Sequence, residues 1–349
     1  MATNRDIKNV LVIRFSALGD VAITIPALYS VCQAHPDKRF VMVSRQWSAE
    51  LFINCPSNLV VLGVDVKNEY AGAWGMIRLA RKLRKEYKID AVADLHSVLR
   101  SWVIDNTLRL CGVKVARIEK GRSEKRQLVK GKIRRQLPTT NERYADVFRR
   151  LGLDFDETFE GFTEAQTASL PAKTAEERWI AIAPFSQHRG KEYPLDKMEE
   201  VIDQLLEHPE VHIILFGGGN KEKKLLAGVA HRHERTVSLA GIKHGFTDEY
   251  AILRQCDVMV SMDSANMHLA SLTRTPVVSV WGATHPWCGF MGWRQDASNA
   301  VQLDLPCRPC SVFGEKDCRY DDYHCLGDLP PEQIVERIEA LLRCPPQSP

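Results

Sequence analysis

The chain has 349 residues, of which 44% are hydrophobic and 26% are charged, and its formal net charge is +3. This is the composition of an ordinary folded protein and excludes a disordered or membrane-embedded chain. A length of 349 residues fits two domains of typical size better than one.

The first apolar run, residues 10–15, contains Arg14 and is followed by Asp20. It is too short and too charged for a signal peptide or a membrane span. We therefore expect a cytoplasmic protein whose ten cysteines are mostly reduced.

Short apolar runs alternate with helical patterns through the first half of the chain. Strands are predicted over residues 10–15, 39–44, 59–63 and 91–95, and helices over 21–35, 48–53, 73–87, a segment ending at 110, and 141–151. This alternation is typical of a doubly wound, largely parallel sheet.

The turn after the first strand carries the residues of interest. Gly19 permits a tight turn, and Asp20 comes at the carboxyl end of the strand, where such sheets bind ligands. Asp20 is either a helix cap or a carboxylate held in an interdomain cleft. Arg100 follows the strand at 91–95 and is placed to meet an anionic acceptor, whereas the nearby His96 is expected to be structural.

Two segments are strongly basic. The helix between Gly75 and Lys88 carries six cations against Glu86, and residues 114–135 carry ten against two glutamates. Such runs are solvated surface, an anionic membrane face or contacts to acceptor phosphates. Nucleic acid is disfavoured, because no aromatic platform is interleaved with the charges.

Hydrophobic periodicity is lost from residue 154 to residue 177, which predicts a linker. It separates an N-terminal domain (1–153) from a C-terminal domain (178–330), and a terminal helix and tail follow (331–349). In the second domain, strands are predicted over residues 179–183, 212–216, 258–262 and 277–281. The predicted fold class is therefore α/β, with two Rossmann-like doubly wound domains.

The loop after the strand at 179–183 contains Ser186, Gln187 and Lys191. Lys191 would neutralise a diphosphate leaving group, and the other two would donate hydrogen bonds to it. After the strand at 212–216 comes a glycine cluster that matches neither the dinucleotide fingerprint nor a nucleoside-triphosphate loop, so a nicotinamide dehydrogenase is disfavoured. Glu222, close behind, either binds ribose hydroxyls or sits in the first helical turn.

The strand at 258–262 ends in a polar turn that opens a helix. The turn and the first helical residues are Asp263, Ser264, Ala265, Asn266 and His268. A helix start presents N–H groups and a positive dipole end to an anion, and the small side chains allow a diphosphate close to the backbone. The alternative is that Asp263 and Ser264 only cap the helix.

Cys307, Cys310, Cys318 and Cys325 have the spacing C-x2-C-x7-C-x6-C. Four thiols in a loop-rich stretch are able to hold a tetrahedral structural zinc, although the second pair lacks the C-x2-C spacing. The alternative is a group of reduced thiols.

Four segments together resemble the ADP-heptose:lipopolysaccharide heptosyltransferases of glycosyltransferase family nine. They are VLVIRFSALGDVAITIPAL, DLHSVLRS, GGGNKE and SMDSANMHLASLTRTPVVSVWGATHP, and they span nearly the whole chain in the family's order. The resemblance implies a glycosyltransferase B fold, with an acceptor domain and a sugar-nucleotide domain facing across a cleft. It also implies an inverting transfer that needs no metal.

The resemblance assigns roles residue by residue. Asp20 matches the catalytic aspartate; Ser16, Gly19 and Arg100, at the same edge of the predicted sheet, are our candidates for contacts with the acceptor. The segment Asp263–His268 matches the phosphate-binding turn, and Lys191 matches the loop lysine. One departure is Ala265, where the family commonly has glycine. A free aspartate has a pKa near 3.9, so we expect a desolvated site around Asp20.

The implied reaction moves a heptose from ADP-heptose to a sugar hydroxyl of a lipid A/Kdo-type acceptor. The basic segments would then face the inner surface of the cytoplasmic membrane. Two alternatives remain open on sequence: a sugar-nucleotide epimerase of the same architecture, and a non-catalytic nucleotide-sugar-binding protein at the membrane.

Overall fold

The computed structural model describes residues 7–163, 173–242 and 245–343. The chain divides into two compact units, one of residues 1–120 and 140–160 and one of residues 121–139 and 161–349. Part of the predicted linker, 164–172, and the predicted tail, 344–349, lie outside the described residues. Both units are α/β with parallel sheets, which confirms the predicted fold class.

The first unit contains a five-stranded parallel sheet in the order β3-β2-β1-β4-β5. Its strands are β1 (Asn9–Ile13), β2 (Arg39–Arg45), β3 (Leu59–Val64), β4 (Ala91–Asp94) and β5 (Lys114–Arg117). The sequence analysis missed β5, because its four residues include two cations and lie at the start of a basic run. Since β1 is the central strand, its carboxyl end lies in the middle of the ligand-binding edge.

Seven helices are described in the first 160 residues. They are α1 (Leu18–Ala22), α2 (Thr24–Ala34), α3 (Gln46–Ala49), α4 (Gly72–Tyr87), α5 (Leu99–Arg109), α6 (Arg122–Val129) and α7 (Thr140–Arg150). The helix predicted over 21–35 is two helices, α1 and α2. Pro26 lies in the first turn of α2, where its missing N–H is tolerated.

Residues 121–139, which include α6, pack with the second unit. Leu128 and Leu137 share a small apolar cluster with Cys288, and the Leu137 N–H donates to the Trp287 carbonyl at 3.0 Å. The predicted first domain, 1–153, included this segment. The contacts join residues about 150 positions apart, so local sequence patterns do not reveal them.

The second unit contains a six-stranded parallel sheet in the order β11-β10-β9-β6-β7-β8. Its strands are β6 (Arg178–Ala183), β7 (Val211–Leu215), β8 (Thr236–Ser238), β9 (Val258–Met262), β10 (Val277–Val280) and β11 (Ala300–Val301). Its further helices are α8 (Leu195–Leu206), α9 (Gly219–Arg232), α10 (Phe246–Gln255), α11 (Ala265–Leu272), α12 (His324–Gly327) and α13 (Pro331–Arg343).

The terminal helix α13 packs against α8 and the neighbouring strands β9 and β10. Ile334 and Ile338 are fully buried there, as the apolar side of this helix predicts. Within the described ranges, no helix has the length and the apolar run that a bilayer crossing requires.

Candidate functional site

In the first unit, Asp20 lies in α1, just beyond the carboxyl end of β1, and forms an ion pair with Arg14. The distance between Arg14 Nη2 and Asp20 Oδ2 is 2.5 Å. The same carboxylate oxygen accepts a hydrogen bond from the Ala17 N–H at 3.2 Å, and the Tyr144 hydroxyl donates to the Asp20 carbonyl at 3.2 Å. The side chain is nevertheless 36% exposed, which differs from the desolvated carboxylate that we expected.

Arg14 is the buried half of this ion pair, with 6% exposure. Its second terminal nitrogen donates to the Leu95 carbonyl at 2.8 Å, and its guanidinium lies over the Tyr144 ring at 5.9 Å. Burial by itself would lower the pKa of Arg14, but Asp20, together with Tyr144 and Asp94, outweighs burial and the pKa is raised. Arg14 is therefore a permanent cation that orients Asp20.

His96 lies nearby and is neutral. Burial, reinforced by the charge of Arg14, lowers the pKa of His96 to about 3. The Phe15 N–H donates to His96 Nδ1 at 3.4 Å, which is consistent with an unprotonated nitrogen at that position. These contacts agree with the structural role expected for His96.

The predicted acceptor-side residues surround the same sheet edge. Ser16 is half-buried in the turn after β1, and Gly19 is buried within α1. Arg100 is exposed in the first turn of α5, after β4, the strand beside β1. Their contact with an acceptor stays a prediction. Sequence reasoning did not assign Arg14 or Tyr144; the signal for Arg14 was a cation placed inside an otherwise apolar strand pattern.

In the second unit, three neighbouring strands bring three side chains together. Lys191 follows β6, Asp263 follows β9 and Thr284 follows β10, and these strands are adjacent in the order β10-β9-β6. Lys191 Nζ is 3.1 Å from Asp263 Oδ2, and the Thr284 hydroxyl donates to the same oxygen at 2.8 Å. Sequence reasoning missed Thr284, whose signal was its position just past the strand at 277–281.

The start of α11 lies next to this cluster. Ser264 occupies the N-cap position, but its side chain makes no capping hydrogen bond; its hydroxyl lies 3.2 Å from that of Ser261. The capping alternative therefore does not hold for Ser264, and its hydroxyl does not occupy the N–H groups of the first turn. Ala265 and Asn266 follow in that turn, and His268 lies in the next one, all half-buried.

The loop after β6 is attached to the same cluster. The Ser186 hydroxyl is 3.4 Å from the Asp263 carbonyl, to which it donates, and the Gly190 carbonyl accepts from the Ala283 N–H at 2.7 Å. Gln187 is exposed. These bonds fix the loop that carries Lys191 against the segment that carries Thr284.

Glu222 lies in the first turn of α9, and its carboxylate accepts from the Gly218 N–H at 2.7 Å. This contact corresponds to the structural alternative given for Glu222. A contact with ribose stays a prediction.

The four cysteines of the predicted zinc site are free thiols. The Cys310 thiol donates to the Cys307 carbonyl at 3.2 Å, and Cys318 donates to Asp322 at 3.7 Å. Burial raises the pKa of Cys325 to about 11. In the part of the chain that the structure describes, no three His, Cys, Asp or Glu side chains are grouped to hold a metal ion.

Comparisons with known proteins identify the family. The sequence model of glycosyltransferase family 9 (heptosyltransferase) matches residues 76–324, more than half of the chain. Asp263, Lys191 and Thr284 lie within the match, and Asp20 lies before it. The chain is also 24% identical to lipopolysaccharide heptosyltransferase 1 of Pseudomonas aeruginosa, over 96% of this chain and 98% of the relative.

A shorter alignment links the chain to lipooligosaccharide heptosyltransferase 2 of Campylobacter jejuni. The identity is 27% over 134 residues, and the alignment covers 38% of this chain and 41% of the relative. The chain thus spans less than half of that relative's length.

Solved structures share the fold. A glycosyl transferase of family 9 from Veillonella parvula superposes with a TM-score of 0.76 at 19% identity, covering 97% of this chain and 98% of the other. E. coli heptosyltransferase WaaC with ADP-2-deoxy-2-fluoro heptose gives a TM-score of 0.67 at 19% identity, with 95% and 99% coverage. The two units therefore have the glycosyltransferase B fold that the sequence predicts, and the chain belongs to glycosyltransferase family 9, the heptosyltransferase family.

Proposed function

We propose that the protein transfers a heptose from ADP-heptose to a sugar hydroxyl of the lipopolysaccharide inner core, with inversion and without a metal. The observation that carries this proposal is the cluster of Lys191, Asp263 and Thr284 beside the start of α11 in a member of family 9. A cation and a helix start at one sheet edge suit a sugar diphosphate. The relative from P. aeruginosa, which aligns over 98% of its own length, is a lipopolysaccharide heptosyltransferase.

On the donor side, Lys191 and the N–H groups of the first turn of α11 would stabilise the charge that develops on the departing ADP. Asp263 acts through Lys191, because its buried carboxylate fixes the ammonium group. Ser186, Gln187, Asn266, His268 and Glu222 complete the proposed donor site. Ala265 in place of glycine leaves the backbone slightly less open to the diphosphate.

On the acceptor side, Asp20 would act as the general base. The acceptor hydroxyl oxygen attacks the anomeric carbon as the bond from that carbon to the diphosphate oxygen breaks, and the hydroxyl proton passes to Asp20. Attack opposite the leaving group inverts the anomeric centre. Arg14 orients the carboxylate through the ion pair, and the 36% exposure of the Asp20 side chain allows a substrate hydroxyl to reach it.

The test is ADP release from ADP-heptose, with and without a truncated Kdo-bearing lipid A acceptor, by the wild type and Asp20→Asn. We expect acceptor-dependent release that falls by about 10²–10⁴-fold in the variant, while ADP-heptose binding persists. Asp37→Asn, which changes an exposed aspartate elsewhere in the first unit, is the matched control and should match the wild type.

The alternatives give different results in this test. An epimerase would convert the donor without any acceptor, and a non-catalytic binding protein would show no release and no loss on Asp20→Asn. Release that is indifferent to the acceptor, or untouched in Asp20→Asn, contradicts the transferase mechanism.

The proposal places the protein in the cytoplasm, on the inner face of the membrane that holds its acceptor. Structural zinc on Cys307, Cys310, Cys318 and Cys325 is a separate prediction on which the transfer does not depend. Metal analysis of the purified protein tests it: stoichiometric zinc that disappears in Cys307→Ser/Cys310→Ser would support it, and metal-free protein of full stability would contradict it.

A further inference from the structure

We propose that the outer face of the helix pair α4 and α5 is the surface with which this protein docks on an anionic lipid bilayer. This inference rests on the proposed function only in that the proposed acceptor is a lipid. The surface lies entirely within the first unit.

The two helices form one layer on one face of the first sheet. Their inner sides share a core cluster with the strands, through Met76, Leu79 and Leu83 of α4 and Ile104 and Leu108 of α5. The opposite side of each helix therefore faces solvent.

The outer side of α4 is a stripe of cations that begins with a tryptophan. Trp74, Arg78, Arg81 and Lys85 follow one another at intervals of four, three and four residues, so they share one side of the helix. All four are exposed, and Trp74 is 81% exposed. The stripe lies opposite the buried Leu83, which is the arrangement of an amphipathic helix whose polar side is basic.

The outer side of α5 adds two leucines. Leu99 and Leu110 are eleven residues apart, close to three helical turns, and so lie on the same side; they are 75% and 91% exposed. Together with Trp74 they are the three most exposed large hydrophobic side chains among the described residues. Three such side chains on one helix layer mark an interaction surface rather than scattered surface apolar residues.

The cations gather at the carboxyl-terminal end of α4, which lies beside that of α5. A cavity of about 480 Å³ there is lined by Arg81, Arg84, Lys85 and Lys88. Its one lining carboxylate, Asp90, accepts from the N–H groups of Lys8 and Asn9. Leu110 directly precedes the lining residue Cys111 in the sequence, so its exposed side chain lies at the same end of α5 as the basic cavity.

The cations of this cavity are open to a ligand. In the part of the chain that the structure describes, no carboxylate forms an ion pair with Arg81, Lys85 or Lys88. Arg84 donates weakly to the Cys111 carbonyl, at 3.4 Å. Their charge is therefore not neutralised within the fold.

The cations and the exposed apolar side chains of the surface both match a bilayer of anionic phospholipids. Lysine and arginine near such a surface each contribute about 1 kcal/mol, and tryptophan and leucine insert at the level of the headgroups. A soluble polyanion would engage the cations but would leave the exposed leucines in water. The combination therefore favours lipid.

The experiment measures co-sedimentation with phosphatidylcholine vesicles, with and without phosphatidylglycerol. The wild type should bind only the vesicles that contain phosphatidylglycerol, and added salt should weaken binding. Arg81→Glu/Lys85→Glu should lower the partition constant more than about tenfold, because two attractive charges become repulsive. The matched control is Lys130→Glu/Lys132→Glu, which reverses two exposed lysines of the other basic segment and should stay within about twofold of the wild type.

A second measurement tests the apolar part. Lipids brominated in the acyl chains should quench part of the tryptophan fluorescence of the wild type, and this part should be lost in Trp74→Phe. Leu110→Ser should weaken binding without changing the dependence on anionic lipid.

Activity separates the docking surface from the proposed function. ADP release with a short water-soluble acceptor should be the same in Arg81→Glu/Lys85→Glu and the wild type, whereas release with acceptor embedded in vesicles should fall. Three results would overturn the docking surface. The wild type could bind vesicles equally with and without phosphatidylglycerol, Arg81→Glu/Lys85→Glu could bind them like the wild type, or only Lys130→Glu/Lys132→Glu could lose binding. Vesicle binding without any heptose transfer would support the docking surface and contradict the proposed transferase function.

Discussion

Asp20 and Asp263 are two aspartates in comparable places with different surroundings. Each follows a central strand of a parallel sheet, and each faces a cation. The Asp20 side chain is 36% exposed, and that of Asp263 is 7% exposed. In the first pair the cation, Arg14, is buried and orients the carboxylate. In the second pair the carboxylate, Asp263, is buried and orients the cation, Lys191.

The comparison teaches that the position of a carboxylate at a sheet edge does not define its role. An exposed carboxylate oriented by a buried arginine is able to take a proton from a substrate. A buried carboxylate that accepts from Lys191 and Thr284 is placed to organise other groups. Three predictions test this difference and a fourth tests the buried histidines, one of which lies near Asp20; they run from the largest expected effect to the smallest.

Asp20→Asn and Asp20→Ala should both lose about 10²–10⁴-fold in turnover, because neither side chain can act as a base. Only Asp20→Ala should also unfold at a clearly lower temperature, since it leaves the buried Arg14 without an acceptor at that site, whereas the asparagine oxygen still accepts. Turnover and thermal unfolding are measured on both variants. Equal unfolding temperatures would show that Arg14 does not need this partner.

Lys191→Met should lower kcat by about 10²–10³-fold, the effect of removing one group that stabilises developing negative charge. Lys191→Arg is the matched variant and should keep part of the rate, because it preserves the charge. Steady-state kinetics on ADP release measure both. A change confined to KM would indicate that Lys191 binds the ground state and the transition state equally.

Stability should fall as the pH is lowered from about 6.5. His96 has its pKa lowered to about 3 and His285 to about 4, mainly by burial. Between these values and the ordinary pKa of 6.5 the unfolded state binds more protons, so acid destabilises the folded state. Within this pH range, each histidine lowers the free energy of unfolding by up to about 1.4 kcal/mol for every pH unit of acidification.

His96→Asn isolates one of these contributions, because the asparagine oxygen can replace Nδ1 as the acceptor for the Phe15 N–H. Denaturant unfolding at several pH values should show a shallower loss of stability for the variant than for the wild type. Parallel pH profiles would mean that His96 titrates normally in the folded protein.

Thr284→Val should produce the smallest effect, about 1 kcal/mol, the typical net contribution of one hydrogen bond. The loss should appear as a severalfold higher KM for ADP-heptose, because Asp263 then positions Lys191 less firmly. Thr284→Ser keeps the hydroxyl and should resemble the wild type. An unchanged KM in Thr284→Val would show that the hydrogen bond from Thr284 to Asp263 does not affect donor binding.

The sequence by itself determined the fold class, because the alternation of apolar strands and helices is a local property that each segment carries. It also singled out Asp20 and Asp263 as candidate site residues, since both follow an apolar strand and lie near the start of a helix. The family resemblance rested on the same contiguous segments.

Only the tertiary structure decided which groups meet. Arg14 and Asp20 are close in sequence, but burial of the arginine depends on Tyr144 and Leu95. Lys191, Asp263 and Thr284 meet because β6, β9 and β10 are neighbours in the sheet, an order that no local pattern specifies. The same holds for residues 121–139, whose apolar side chains pack with residues about 150 positions later, because burying apolar area depends on proximity in space rather than along the chain.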